Sequence, residues 1–327
     1  MRRLVTRAVD RHFIRKTNDW LAEANAAVHP SSPDQLRPTR PDPRYFDPPG
    51  GLPVTVEKPI LHQAWRTFRF PTPLPTSFAG NNTCTGRIYN SPHPAGITTL
   101  IIHGWAAHSF HIYENHFARP LLRNGIDCVL PVLPFHMERC PKGSADGEYM
   151  VSSNLKLSLD TLRQAVVEAR YLVHWLKAAS NLPVGILGIS LGGLVAGLVA
   201  ATEPELRFAV LMIPAADPAR ILWDSPLCAP IRDKLQGSGI SRSQVSDFCR
   251  IAAPGEYSPV VPVDDIFFIV ASNDCCIYPD WIREWSGKWS CPNNRYYNHG
   301  HISSLFGHRV KRDIIRFILQ RNGSSRQ

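Results

Sequence analysis

A serine lies between glycines at the point where one predicted element of the chain ends and another begins. The stretch PVGILGISLGGLVAGLVA, residues 183–200, has the pattern of an apolar strand up to Ile189 and of a helix after Ser190. Glycines two residues before and after Ser190 permit a tight turn that projects the hydroxyl above the sheet edge. The pattern predicts either a serine that fills a packed corner or a nucleophile, and other residues have to discriminate between the two.

A serine nucleophile needs a base, a group that orients the base and donors for the developing oxyanion. Late in the chain, Asp274 follows an apolar run in IVASNDCCIYP, and two histidines, His299 and His301, occur in RYYNHGHISSLFG. Other acids near strand ends fit the orienting role less well: Asp217, Asp264 and Asp265. The residue types and their order favour the nucleophile interpretation of Ser190 and leave two histidines open as its base.

Apolar runs alternate with helical patterns along most of the chain. The runs cover residues 98–105, 126–134, 183–190, 208–214 and 266–272. Strands buried on both faces of a parallel sheet have this composition, and strand–helix alternation gives an α/β fold. We therefore predict a mostly parallel central sheet with helices on both faces, an antiparallel edge from residues 65–70 and 86–90, and a small helical cap inserted at about 218–262.

The first 64 residues differ from the rest. Residues 3–28 are predicted to be helical, with arginines at every fourth position and an apolar stripe of Val5, Val9 and Phe13. Such a helix either packs on the body of the protein or lies on an anionic membrane surface. A proline-rich arm follows at 29–60, where no regular element is expected. The predicted units are 1–64, a main domain at 65–320 and a tail at 321–327.

Composition excludes several classes of function. The chain has 327 residues, is 44% hydrophobic and carries a net charge of +9, about half of which lies in residues 1–16, so a nucleic-acid groove is not indicated. There is no apolar run long enough to span a bilayer and no apolar signal region, and eight scattered cysteines are interpreted as reduced thiols. We expect a cytoplasmic protein, with membrane association through residues 1–28 as the alternative. Dinucleotide and phosphate-loop motifs are lacking, and no cofactor or metal is expected.

From about residue 65 to 320, the chain resembles the α/β-hydrolase superfamily, in which the order along the chain is serine, acid, histidine. The resemblance implies that Ser190 is the nucleophile, Asp274 the acid and His301 the base, because Gly-His-Ile before the closing helix is most similar to the family pattern. It also implies an oxyanion hole formed by the backbone amides of Leu191 and Trp105.

The resemblance further implies substrate contacts beside these residues. The candidates are His103, Gly104, His136, Arg139 and Trp223. The expected activity is hydrolysis of a carboxylic ester, of a small molecule or a lipid, through an acyl-enzyme. The alternatives are thioester or amide cleavage on the same fold and, in another class, a non-catalytic relative that binds a membrane or a protein partner.

Overall fold

In a computed structural model, which describes residues 2–51, 53–58 and 63–322, nine strands form one sheet in the order β1-β2-β3-β5-β4-β6-β7-β8-β9. They are β1 (Thr55–Val56), β2 (Arg66–Pro71), β3 (Thr83–Tyr89), β4 (Thr98–Ile102), β5 (Asp127–Pro131), β6 (Val184–Ile189), β7 (Ala209–Met212), β8 (Ile266–Ala271) and β9 (Asn294–Tyr297). Strands β4 to β9 pair in parallel, and β1 to β3 form an antiparallel edge. The predicted α/β fold with a mostly parallel sheet is confirmed.

The helices are α1 (Arg2–Ala24), α2 (His111–Tyr113), α3 (Arg119–Leu122), α4 (Leu155–Ser180), α5 (Leu191–Thr202), α6 (Pro218–Trp223), α7 (Ala229–Gly237), α8 (Arg242–Cys249), α9 (Pro279–Lys288), α10 (His301–Ser304) and α11 (His308–Gln320). Local signals set their ends. The Asn154 side chain accepts the amide of Leu157 at the start of α4, and Asn181 ends that helix in a left-handed conformation.

Both faces of the sheet are covered, which explains the continuous apolar runs. Along β8, Phe268 belongs to a core cluster that contains Leu172 of α4. The next residue back, Phe267, belongs to the cluster on the opposite face and stacks on Phe317 of α11, with ring centroids 5.0 Å apart. Alternate side chains of one strand therefore enter two different cores, and neither face can be polar.

Helix α1 packs on the main domain, but of the predicted stripe only Phe13 packs against the core. Val5 and Val9 are 58% and 41% exposed. The inward face carries side chains that are mostly polar: Thr6, Asp10, Ile14, Thr17 and Leu21. Because Asp10 on this face accepts backbone amides of the main domain, hydropathy alone does not identify the buried face of the helix.

The proline-rich arm also packs on the main domain. Phe46 is fully buried, and its carbonyl oxygen accepts a hydrogen bond from Arg170 of α4 at 2.8 Å. The expectation that the arm holds no regular element is wrong, because β1 pairs with β2 and two short 3-10 turns precede it. A high proline content limits strands and helical turns to short lengths but does not exclude them.

Two predicted boundaries stay predictions. The insertion at 218–262 contains α6, α7 and α8, and its role as a cap stays a prediction. Of the predicted tail, residues 323–327 lie outside the described residues.

Within the described part of the chain, none of the helices combines the length and the hydropathy that crossing a membrane requires.

Candidate active site

Ser190 lies in the tight turn between β6 and α5. Its backbone has φ 57° and ψ −115°, an unusual conformation for a residue with a side chain. A Cβ atom on Gly188 would lie 2.1 Å from the carbonyl oxygen of Gly192, and one on Gly192 would lie 2.2 Å from that of Ile102. The turn therefore requires glycine at both positions, and a strained serine held this way is typical of a functional site.

His301 connects Ser190 to Asp274. Its Nε2 lies 3.0 Å from the Ser190 Oγ, and its Nδ1 lies 2.7 Å from Asp274 Oδ2. The other oxygen of Asp274 accepts the amides of Cys276 at 2.7 Å and Ile277 at 2.8 Å, which fixes the carboxylate. The alternative base, His299, instead places its Nδ1 3.4 Å from the Ser303 hydroxyl.

Electrostatics favour protonation of His301. Burial disfavours the charged imidazolium, but the adjacent Asp274 carboxylate outweighs that effect, and the pKa of His301 is raised. A base that gains a proton more readily than an isolated imidazole can accept the proton of a serine hydroxyl during attack.

The loop after β4 is held by several hydrogen bonds around Trp105. The amide of Gly104 donates to the Tyr113 hydroxyl at 2.9 Å, and the amide of Ala106 donates to His136 Nε2 at 3.2 Å. The Trp105 indole donates to the carbonyl of Gly147 at 2.9 Å. The backbone amides on both sides of Trp105 therefore donate to side chains of the protein itself. Across the cleft, the Leu191 amide is the first of α5, where an amide has no intrahelical acceptor.

His103 and His136, which the sequence analysis assigned to substrate, are buried supports of this loop. His103 Nε2 accepts the amide of Leu133 at 3.0 Å, and the other ring nitrogen faces the Gly104 carbonyl at 2.8 Å. Burial lowers the pKa of His103 to about 4 and lowers that of His136 as well. Both rings are therefore neutral near pH 7 and hold backbone, which corrects the expectation of substrate contact.

Arg139 does not face the cleft either. It is 1% exposed and forms a two-point ion pair with Glu168, with N–O distances of 2.7 and 2.8 Å. Its guanidinium also donates to the carbonyls of Val132 and Asn81, at 2.8 Å each. The predicted anion-binding side chain is instead a buried link between α4 and the loop after β5.

Three cavities surround these residues. A cleft of about 560 Å³ contains Ser190, His301 and the loop from Gly104 to Ser109. A narrow apolar cavity of about 70 Å³ is lined by Leu191. A wider one of about 850 Å³, beside α1, contains neither Ser190 nor His301, so the 560 Å³ cleft is the candidate active site. Trp223 packs on the core and lines none of the three.

One group of side chains has the composition of a metal site. Ligand atoms of Asp274, Cys276 and His301 lie within 4.8 Å of one another. However, the carboxylate and imidazole are already bonded to each other, and burial raises the pKa of the Cys276 thiol well above its ordinary value. A thiol that resists ionisation is a poor ligand, so the donor set fits the Ser190–His301–Asp274 arrangement better than a metal.

Comparison with known proteins agrees with this fold. Residues 90–219 match the family described as "Alpha/beta hydrolase domain containing 18". This match and the observed fold support an α/β-hydrolase superfamily member. An uncharacterized protein of Mycobacterium tuberculosis is 27% identical over 202 residues, which are 61% of this chain and 47% of that protein. The chain thus spans about half the length of the curated relatives it matches.

Solved structures share the fold of this chain. Acetyl xylan esterase 1 from Thermoanaerobacterium sp. JW/SL YS485 has a TM-score of 0.63 at 13% identity, covering 95% of this chain and 98% of that one. The acetyl xylan esterase from Paenibacillus sp. R4 has 0.60 at 10% identity, covering 91% and 98%. An acylaminoacyl peptidase from Pyrococcus horikoshii has 0.56 at 12% identity, covering 80% and 41%. At these identities, the likeness shows the fold.

One residue that contacts the candidate site was not predicted from the sequence. Asp10 of α1 is fully buried, and its carboxylate accepts the backbone amides of Cys275 and His301. The signal was present in the sequence, because Asp10 is the single acid among the basic residues at 1–16. A lone acid among arginines was counted as charge rather than considered as a hydrogen-bond acceptor.

Proposed function

We propose that this chain is a serine hydrolase that cleaves a carboxylic ester, with Ser190 as nucleophile, His301 as base and Asp274 as the acid that orients the base. The observation that carries the proposal is the position of His301, with one ring nitrogen 3.0 Å from the Ser190 Oγ and the other 2.7 Å from Asp274. A serine that only filled a packed corner would have no need of this buried, ordered pair.

The reaction follows from these positions. Ser190 Oγ attacks the ester carbonyl carbon while its proton passes to His301 Nε2, and Asp274 stabilises the resulting imidazolium. The carbonyl oxygen becomes an oxyanion, and the amides of Leu191 and Trp105 are its proposed hydrogen-bond donors. The C–O bond to the alcohol then breaks, and His301 returns the proton to the departing alcohol. Water attacks the acyl-enzyme by the same route and releases the acid.

The lining of the cleft supports an ester with apolar groups. Phe13 of α1, Leu227 of the insertion and Leu305 after α10 line the same cleft as Ser190. Burying apolar parts of a substrate against these side chains supplies binding free energy of about 25 cal/mol per Å². Thioester and amide cleavage use the same residues and remain the alternatives on this fold.

Mass spectrometry of the intact protein after treatment with a fluorophosphonate tests the proposal. We expect one adduct on the wild type and none on Ser190→Ala, because an activated serine displaces fluoride and a methyl group cannot. Ser109→Ala, which removes an exposed hydroxyl in the same cleft, should still be labelled.

Wild-type protein that stays folded but unlabelled, or an adduct that persists on Ser190→Ala, would contradict the proposed nucleophile. A panel of matched oxygen esters, thioesters and anilides with graded acyl length then separates the three leaving groups. Faster turnover of thioesters or anilides than of esters would overturn the ester assignment while leaving the serine hydrolase proposal intact.

Membrane contact is a second property that we propose, because α1 exposes apolar side chains on a basic helix. Leu4 is 74% exposed and Val5 58% exposed, and the exposed residues Arg11 and Arg15 belong to the same helix. Apolar insertion combined with basic residues favours anionic lipid surfaces. Contact through this surface would bring the proposed esterase site to ester substrates that lie in a membrane.

Co-sedimentation with vesicles tests the contact. We expect binding to phosphatidylserine-containing vesicles that weakens with salt, and at least a roughly tenfold loss of binding in Leu4→Asp/Val5→Asp, since an inserted methylene contributes about 0.8 kcal/mol. Leu319→Asp, on the exposed side of α11, is the matched control. Equal binding to neutral vesicles, or equal loss in the control, would contradict the proposed role of α1.

A further inference from the structure

The inward face of α1 carries a carboxylate where an apolar side chain would be expected. Asp10 is 0% exposed and lies one turn from Thr6 and one turn from Ile14 on that face. Burying an ionised carboxylate is costly unless hydrogen bonds replace its water. The contacts of Asp10 therefore have to explain its position.

The carboxylate bonds to backbone on both sides of the Asp274–His301 pair. Oδ2 accepts the amide of His301 at 2.8 Å and the amide of Cys275 at 3.1 Å. Oδ1 accepts the amide of Ile302 at 3.2 Å. Cys275 directly follows Asp274, so one side chain joins the loop of the acid to the backbone of the base.

Gly300 shows how closely this carboxylate fits. A Cβ atom at that position would lie 2.6 Å from Asp10 Oδ2 and 2.8 Å from Oδ1, well inside van der Waals contact. The backbone φ of Gly300 is −92°, which any residue can adopt, so the contact with Asp10 is what favours glycine. The carboxylate lies directly against the turn that presents His301.

We propose that Asp10 is a positioning residue of the active site, which holds the Asp274 loop and the start of α10 at a fixed separation. The inference rests on the proposed function, because it assigns Asp10 a part in presenting the base to Ser190. Helix α1 is then a component of the site rather than an appendage to the main domain.

The charge of Asp10 supports the same role. Besides Asp274, it is the other negative group that raises the pKa of His301. Burial and the nearby Asp274 raise the pKa of Asp10 itself, and its amide donors oppose that effect. The positive charges of Arg7 and Arg11 act on the neighbouring Cys275.

Asp10→Asn tests the proposal, because an amide has one acceptor oxygen and leaves at least one of the three backbone donors without its partner. We expect kcat to fall roughly 10- to 100-fold with KM changed less than threefold, as small misplacements of reacting groups cost that much. The acid limb of the kcat/KM profile should also move to lower pH, since the lost negative charge lowers the pKa of His301. Asp19→Asn, an exposed charge on the same helix, is the control and should keep wild-type kinetics.

Gly300→Ala is the second variant, because its methyl group displaces the carboxylate without removing the charge. We expect a comparable fall in kcat with the acid limb left near its wild-type position. Wild-type kcat in either variant would overturn the inference, as would a fall in kcat that a matched loss of folded protein, measured by circular dichroism, accounts for completely.

Fluorophosphonate labelling separates this inference from the proposed function. If the wild type labels and Asp10→Asn labels at the same rate, the positioning role fails and the hydrolase proposal stands. If the folded wild type does not label, the proposed function itself fails. Slower labelling of Asp10→Asn that still reaches one adduct per chain supports both.

Discussion

Replacing His301 by alanine is expected to lower kcat by roughly 10⁴- to 10⁶-fold, the loss typical of removing the base of a serine triad. Without the imidazole, the Ser190 hydroxyl has no group at 3.0 Å to accept its proton. Asp274 cannot replace it, because the 2.7 Å contact of that carboxylate is with His301 itself. Steady-state turnover of the preferred ester and the rate of fluorophosphonate labelling measure the effect.

The neighbouring histidine is the matched control for this prediction. His299→Ala should keep kcat within a few-fold of the wild type, because the Nδ1 of that ring lies 3.4 Å from the Ser303 hydroxyl. Thermal unfolding of both variants establishes that each is folded when assayed. A large loss of kcat in His299→Ala with His301→Ala active would reverse the assignment of the base.

The strand order explains why Ser190, Asp274 and His301 could be predicted together. Strands β6, β8 and β9 run parallel, so their carboxyl ends meet at one edge of the sheet. Ser190 follows β6 directly, Asp274 follows β8 within three residues and His301 follows β9 within four. Continuous apolar runs identify buried parallel strands in a sequence, and the residue after such a run has a predictable location.

Strand ends do not predict the role of a residue whose contacts lie in a distant segment of the chain. His103 and His136 occur beside the site in sequence, yet their ring nitrogens bond to backbone of the loops that they connect. Asp10 is 291 residues from His301 and lies on a helix in which two residues of the apolar stripe, Val5 and Val9, face outward. The periodicity of a sequence segment does not identify the hydrogen-bond partner of a buried polar side chain, because that partner belongs to another element that packs against it.

Because Arg139 is buried in an ion pair and does not face the cleft, its mutation should affect stability rather than substrate binding. Arg139→Ala should lower the free energy of unfolding by about 3–5 kcal/mol, because it leaves the Glu168 carboxylate buried without its counter-charge. Both partners are nearly inaccessible to water, with 1% and 4% of their side chains exposed. Urea unfolding followed by circular dichroism measures the loss, and KM for the ester substrate should change little in whatever fraction remains folded.

Arg242→Ala is the matched control, because that arginine also binds a carboxylate at two points, in Asp224, but is exposed. Its removal should leave the urea midpoint nearly unchanged, since solvent screens such pairs. A double variant, Arg139→Ala/Glu168→Ala, should cost less than the sum of the two single variants, because removing both charges leaves neither one unpaired. A stable Arg139→Ala protein with a raised KM would instead place this arginine against the substrate. The buried pair argues for the opposite result, because a guanidinium that joins α4 to the loop after β5 contributes to activity only by keeping the fold that carries the site.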